Sequence, residues 1–171
     1  EEIKKFWISS NEKINHINEE LETINSEINS KDSIIQKRIT LFNKYFTKVS
    51  GQLYGEEYLL STKKSDRGYD LIVTNIEGNP SAGKKKGQIA AFDFAYVLFA
   101  EELDLKFIHF IMHDQLENIH DNQLNTILVD LANSINCQFI LPIVRDKIPS
   151  DIDIEKYIIL RLSENNKLFK K

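Results

Sequence analysis

The sequence predicts an α/β lobe with β-hairpins, carried on a long N-terminal coiled-coil helix. Three observations predict it. Residues 1–50 form one helically periodic block with no Gly or Pro before Gly51. Beyond residue 100 an apolar strand, a helix and a second apolar strand follow in an order and spacing that suit a parallel sheet unit. The first of those strands belongs to Phe107–Asp121, which reads FIHFIMHDQLENIHD, an apolar run that ends in Asp114 with Asp121 seven residues on.

Taken in order, the arm comes first. Ile3, Trp7, Ser10, Ile14, Ile17, Leu21, Ile24 and Ile28 step by fours and threes, with Glu, Lys and Asn between them. This is an a/d seam, too narrow for a buried core helix and suited to one partner helix. Past Lys31 the phase slips, and Ile35, Ile39, Phe42, Phe46 and Val49 resume it, as a stutter does. The alternative is an amphipathic helix packed on its own domain. The expected division is a coiled-coil arm over 1–50 and a lobe over 51–171.

After Gly51 the composition changes. Tyr58–Thr62 and Tyr69–Ile76 are aromatic and β-branched runs joined by KKSDRG, a β-hairpin with Asp66, Arg67 and Gly68 in its turn. A Gly/Pro/Lys loop spans Gly78–Gln88. Ile89–Leu103 is apolar without strand alternation, and predicts a buried helix in which Asp93 needs a partner that the sequence does not name. Asn122–Asn136 is a helix with Leu124, Ile127, Leu128, Leu131 and Ile135 on one face. Cys137–Val144 is a second buried strand. Tyr157–Leu162 and Lys167–Phe169 suggest a terminal hairpin around Glu164, Asn165 and Asn166.

The chain has 171 residues, 42% hydrophobic and 28% charged, enough for one domain with a core plus an appendage. No apolar run is long enough to span a bilayer and no signal peptide opens the chain, so no membrane partner and a cytoplasmic setting are expected. The single cysteine, Cys137, cannot form an internal disulfide, which suits a reducing compartment. A net charge of −4 argues against a surface that coats nucleic acid non-specifically. The opening EEIKKFW reads as the C-terminal part of a longer polypeptide.

The chemistry centres on two segments. Asp114 stands where a Walker B strand holds its carboxylate at the sheet's C-terminal edge, the place of a nucleotide's Mg²⁺, an ion that takes few hard oxygen ligands. The next position, normally a Glu that polarises water, is Gln115, which orients water but cannot accept its proton. Asp121 is either a D-loop aspartate or the N-cap of the helix after it, and the two readings are compatible. Gly78–Lys84 fits G-x-x-x-x-G-K, but Lys85 replaces the Ser or Thr that a P-loop needs, and Pro80 removes a backbone donor. An ABC signature loop fits better, with Lys85, Lys86, Gly87 and Gln88 opening a helix whose N-terminus faces a phosphate. A surface loop without function is the alternative. Along a strand, His109 and His113 lie roughly 13 Å apart, too far to share one ion. The Asp70 and Glu77 pair lacks the Lys of a nuclease site.

Together these segments resemble the C-terminal domain, of formally unknown function, of bacterial SMC-like or RecN-like ABC ATPases. The match covers about 51–169, most specifically Gly87–Asp93 and Phe110–Gln123, and the preceding helix is similar to a returning coiled-coil arm. The resemblance implies the C-terminal lobe of a split, P-loop NTPase-like head, which uses ATP and Mg²⁺. It implies an N-terminal Walker A lobe of the same protein as partner, and homodimerisation of two heads around ATP. It further implies DNA in the full assembly, accessory subunits, and a setting in DNA repair or anti-phage defence. By this reading the chain alone does not hydrolyse ATP. Arg145 follows the last core strand where such heads usually place a phosphate-sensing His. The competing class is a non-enzymatic coiled-coil interaction module.

Overall fold

In a computed structural model the described residues are 1–65, 68–76, 85–114, 120–148, 150 and 152–169. Helix α1 (Glu2–Tyr54) opens the chain, followed by strands β1 (Tyr58–Ser65) and β2 (Gly68–Asn75) and helix α2 (Lys85–Glu102). Strand β3 (Phe110–Met112), helix α3 (Asp121–Asn125), a π-helical turn (Thr126–Leu131), helix α4 (Ala132–Ser134) and strand β4 (Gln138–Ile140) complete the lobe. The predicted α/β class with a long N-terminal helix is the observed one.

Helix α1 passes straight through the expected boundary at residue 50. Gly51 is helical, and the stop comes at Gly55, whose backbone adopts φ 63° and whose N–H bonds to Gly51 O at 2.9 Å. A left-handed residue just past the last turn is the usual helix terminator, and Gly takes it without a side-chain penalty. Phe42, Phe46, Val49 and Leu53 are the buried apolar residues of α1, all in its C-terminal part.

They meet α2, whose buried face carries Ala90, Ala91, Ala95 and Ala100 beside Phe94 and Val97. Small residues let the two helices approach, and the space is filled by rings. Phe42 lies 4.8 Å from Phe92 and 5.4 Å from Phe46, centroid to centroid, in the tilted arrangements that aromatic quadrupoles favour. The end of α2 is closed by paired reversed bonds, Leu105 N–H to Ala100 O at 2.9 Å and Asp104 N–H to Glu101 O at 3.0 Å. Asp104 sits at φ 50° between them, a left-handed position that Asp tolerates better than most residues.

The hairpin is antiparallel, Tyr58 opposite Asn75 and Ser65 opposite Gly68, with turn residues Asp66 and Arg67 outside the described residues. It lies along α1. The Asn43 amide donates to Leu60 O at 2.8 Å and accepts from Leu60 N–H at 2.7 Å, so a helix side chain stands in for a neighbouring strand. Tyr58 N–H donates to the buried Ser50 hydroxyl at 3.0 Å. Further out, Gln36 bonds Thr62 at 3.0 Å, and Asp32 meets both Tyr69 and Lys64. Two strands alone are marginal, and packing on α1 supplies the rest.

Strands β3 and β4 pair in parallel, Ile111 opposite Phe139. Each is three residues long, shorter than the predicted Phe107 and Cys137–Val144 runs, and Cys137 lies just before β4. The predicted helix at 122–136 is interrupted by the π-turn, although Leu124, Ile127, Leu131 and Ile135 are buried as its face requires. The C-terminal hairpin is reduced to a single bridge between Ser163 and Asn166, preceded by a 3₁₀ turn at Glu155–Tyr157. Among the described residues no helix is long and apolar enough to cross a membrane.

Candidate functional site

Strand β3 leads into two polar residues, His113 and Asp114. Its backbone alternates, so Ile111 points inward and Phe110 and Met112 outward. His113 follows, buried at 7% exposure, and its N–H donates to Ile140 O at 3.1 Å. Asp114 comes next and is exposed, beyond the C-terminal end of the strand. Among the described residues it makes no ion pair. Gln115 lies outside the described residues.

Lys85, Lys86 and Gly87 form the first turn of α2, not a loop before it, since the helix begins at Lys85. Gln88 is half-buried, and its side chain hydrogen-bonds the Tyr58 hydroxyl, which ties the start of α2 to the hairpin. The Gly78–Lys84 segment lies outside the described residues. Asp121 is exposed and occupies the first position of α3; the cap is His120, whose N–H is accepted by Gln123 Oε1 at 3.3 Å. That corrects the N-cap assignment by one residue. A carboxylate in the first turn still faces the positive end of the helix. Arg145 opens an exposed 3₁₀ turn, Arg145–Lys147, beyond β4. Among the described residues no hydrogen bond or ion pair joins Asp114, Asp121 and Arg145 to one another.

What the structure does bring together is Asp93 and His113. Nε2 of His113 lies 3.2 Å from Oδ2 of Asp93. The approach is off the axis of a directed hydrogen bond, and Nε2 is left without a hydrogen-bond partner among the described residues. Burial raises the Asp93 carboxyl above its ordinary 3.8, with His113 pulling it back. Burial lowers His113 below its ordinary 6.5, with Asp93 opposing. For both groups the loss of water outweighs the mutual attraction. The sequence carried the signal: Asp93 is the one charged residue in AAFDFAYV, and His113 ends the apolar run FIM.

His109 is accounted for by other neighbours. Its Nδ1 is 2.8 Å from Asn136 O and 3.6 Å from Glu101 Oε1, and its ring stacks on Phe107 at 4.2 Å. Among the described residues no group of His, Cys, Asp and Glu side chains is placed to hold a metal by itself. Beside β3 a cleft of about 220 Å³ is lined by Asp93, Tyr96 and Val97 of α2 and by Phe107, Phe110 and Met112. It opens on the apolar outer face of the strand, where Ile108 is 76% and Met112 63% exposed.

Among solved structures the chain is similar to the Smc head domain with an extended coiled coil from Pyrococcus furiosus, itself bound to the C-terminal domain of ScpA. The TM-score is 0.51 at 19% identity, covering 75% of this chain and 34% of that one. It is also similar to the Smc head domain with coiled coil and joint from Pyrococcus yayanosii, with TM-score 0.49, 19% identity, and 75% and 26% of the two chains covered. A third match comes from work on ATP-driven dimerisation and DNA-stimulated activation of SMC ATPases, with TM-score 0.47, 21% identity, and coverage of 68% and 74%. The chain thus spans about a third of the P. furiosus chain, and shares the fold of the part it matches. No curated protein matches the sequence. Residues 49–171 match a family described as an uncharacterised protein conserved in bacteria (DUF2326), and the chain belongs to that family.

Proposed function

We propose that this chain is the C-terminal half of an SMC-like or RecN-like ABC ATPase head, with a returning coiled-coil arm over 1–50 and the lobe over 51–171. The observation that carries the reading is the position of Asp114: an exposed carboxylate just past the C-terminal end of a parallel strand. The fold around it is similar to an Smc head. In open α/β sheets, ligands bind outside the carboxyl ends of the strands. The sheet is also incomplete in a telling way. Parallel sheets are normally covered on both faces, yet β3 pairs on one side only among the described residues and exposes Ile108, Phe110 and Met112. A Walker A lobe of the same protein, packed against this face, is the partner the reading requires.

The residues present fit Mg²⁺ and ATP. Asp114 is a hard oxygen donor open to solvent, and would be the residue that holds Mg²⁺. Such an ion, when bound, offsets the charge that develops on the β- and γ-phosphates. Gln115 would orient the attacking water without taking its proton, which favours slow turnover or switching on binding alone. The N-terminus of α2, with Lys85, Lys86, Gly87 and Gln88, would offer backbone donors and positive charge to the γ-phosphate of the opposite head. Asp121 would report across that interface and Arg145 would contact phosphate. Head closure would move α2, and with it α1 and the arm, to act on DNA in repair or anti-phage defence. An accessory subunit belongs to the same reading, as the similar P. furiosus head is bound to part of ScpA.

In the full-length protein, Asp114→Ala is expected to abolish ATP-dependent head closure, read by crosslinking across the heads, with the thermal midpoint unchanged. Normal closure in that variant sinks the Mg²⁺ role. Lys86→Glu is expected to block dimerisation and leave single-head nucleotide binding intact. Loss of single-head binding instead would return Gly78–Lys85 to the role of a P-loop. A coiled-coil interaction module is the second reading. The exposed seam from Ile3 to Ile28 favours it, because that seam needs a partner helix under either account.

A further inference from the structure

We propose that Asp93 and His113 are a positioning pair: they fix the start of α2 relative to the strand-end carboxylate Asp114, so that the two halves of a nucleotide site keep one register. The proposal rests on the reading of Asp114 as a Mg²⁺ ligand.

The argument begins with what the pair does not do well. A half-exposed carboxylate and a buried imidazole left without an aligned hydrogen bond add little to stability. Apolar residues of similar volume usually serve as well or better. The stretch AAFDFAYV would pack with Leu at position 93, and FIMH with Phe or Leu at 113. Apolar contacts between a helix and a strand, however, have many near-equivalent offsets along their axes. A single polar contact in an apolar interface has one, since any slip takes the buried His113 imidazole away from the carboxylate 3.2 Å from it.

The location fits this role. His113 has neighbours on two sides: its backbone N–H donates to Ile140 O of β4 at 3.1 Å, and its imidazole Nε2 lies 3.2 Å from the Asp93 carboxylate of α2. Its ring also lies 6.0 Å from Phe139, and Phe139 stacks on Phe94, the residue next to Asp93, at 5.4 Å. Helix α2, strand β3 and strand β4 therefore meet at this one side chain. Asp114 is its immediate neighbour in the chain. From Asp93 back to Gln88 is a little over one helical turn, about 8 Å of axis. A shift of the α2 N-terminus is thus delivered to His113 through a rigid lever, and from there to Asp114.

The test uses the full-length protein. Nucleotide-driven dimerisation with ATPγS is titrated against Mg²⁺ for wild type, Asp93→Asn, His113→Gln, the double variant and Asp114→Ala. Thermal midpoints are recorded, together with amide hydrogen exchange at His113 without nucleotide. Asp93→Asn is expected to raise the Mg²⁺ concentration for half-maximal dimerisation by about tenfold, a typical coupling between linked sites. The thermal midpoint should hold, and exchange at His113 should quicken. His113→Gln is expected to do the same, and the double variant no more than either single one, because both remove one shared contact. A Mg²⁺ requirement unchanged in Asp93→Asn, while Asp114→Ala abolishes dimerisation, overturns the pair's role and leaves the ATPase reading standing. Normal dimerisation in Asp114→Ala overturns both. If His113→Gln does not fold, the half-exposed and isosteric Asp93→Asn decides alone.

Discussion

Two stretches of one helix carry the same spacing of apolar side chains and end in opposite surroundings. Between Ile3 and Ile28 the seam of α1 is bare, with Ile14, Ile17, Leu21 and Ile24 each more than half exposed. Between Phe42 and Leu53 the seam is the centre of the core. Period alone states that a face will be covered, not by what. The difference is in the residues. The outer stretch offers Ile and Leu with Glu, Lys and Asn alongside, the composition of a helix pair. The inner stretch offers Phe42 and Phe46, too bulky for a two-helix seam, together with Asn43 and Ser50, whose side chains satisfy backbone groups of β1. A helix that pairs with another helix has no use for such groups.

The sharpest way to break this comparison is to truncate one residue in each stretch of α1. Phe46→Ala empties the aromatic cluster and is expected to cost about 3–5 kcal/mol, whereas Ile17→Ala should change stability by less than about 0.5 kcal/mol. Urea denaturation followed by circular dichroism separates them. Comparable losses would mean that the arm is part of the lobe's cooperative unit. Next in size is Asn43→Ala, which strips both partners from Leu60 and is expected to cost about 1–3 kcal/mol in the same assay. No change there would mean that water replaces the amide freely.

The two glycines at the end of α1 sharpen the boundary. Gly51 is helical with open space where a Cβ would stand, so Gly51→Ala should stabilise by about 0.5–1 kcal/mol. Gly55, at φ 63°, has equal space but the wrong backbone, and Gly55→Ala should cost about 1 kcal/mol. Opposite signs locate the helix end at 55; equal signs would move it.

The smallest expected effect is the response to acid, because Asp93 offsets part of what burial does to His113. With its folded pKa below 6.5, His113 takes up a proton more readily in the unfolded chain. Stability from this group is complete above 6.5 and declines as pH falls from there toward the folded value. Asp93 acts in the other direction at lower pH, between its raised value and 3.8, where the folded carboxyl holds its proton more tightly. His113→Gln should flatten the first decline in a pH series of thermal midpoints. An unaltered slope would assign the acid response elsewhere.

The long helix, the β1–β2 hairpin, the apolar α2 and the Asp114 strand end were all legible in the sequence, because each rests on a local pattern: a period, a turn or an apolar run that meets a charge. What was not legible depended on contacts between distant residues. The helix stop at Gly55 instead of Gly51 turns on backbone conformation, which residue type alone does not reveal. The short β3 and β4 reflect a sheet with one pairing among the described residues. The π-turn at Thr126–Leu131 leaves the burial of Leu124 and Ile127 intact, so the apolar pattern could not announce it. Asp93 was visible as an anomaly, but its partner lies in another element and only the fold could name it.

The central claim is that this lobe is half of a nucleotide-clasping head. It is tested most directly by light scattering with ATPγS and Mg²⁺, on the lobe mixed with the Walker A lobe of the same protein and on the lobe alone. The account predicts dimerisation of heads in the mixture and none in the lobe by itself. A mixture whose mass does not respond to nucleotide would contradict it.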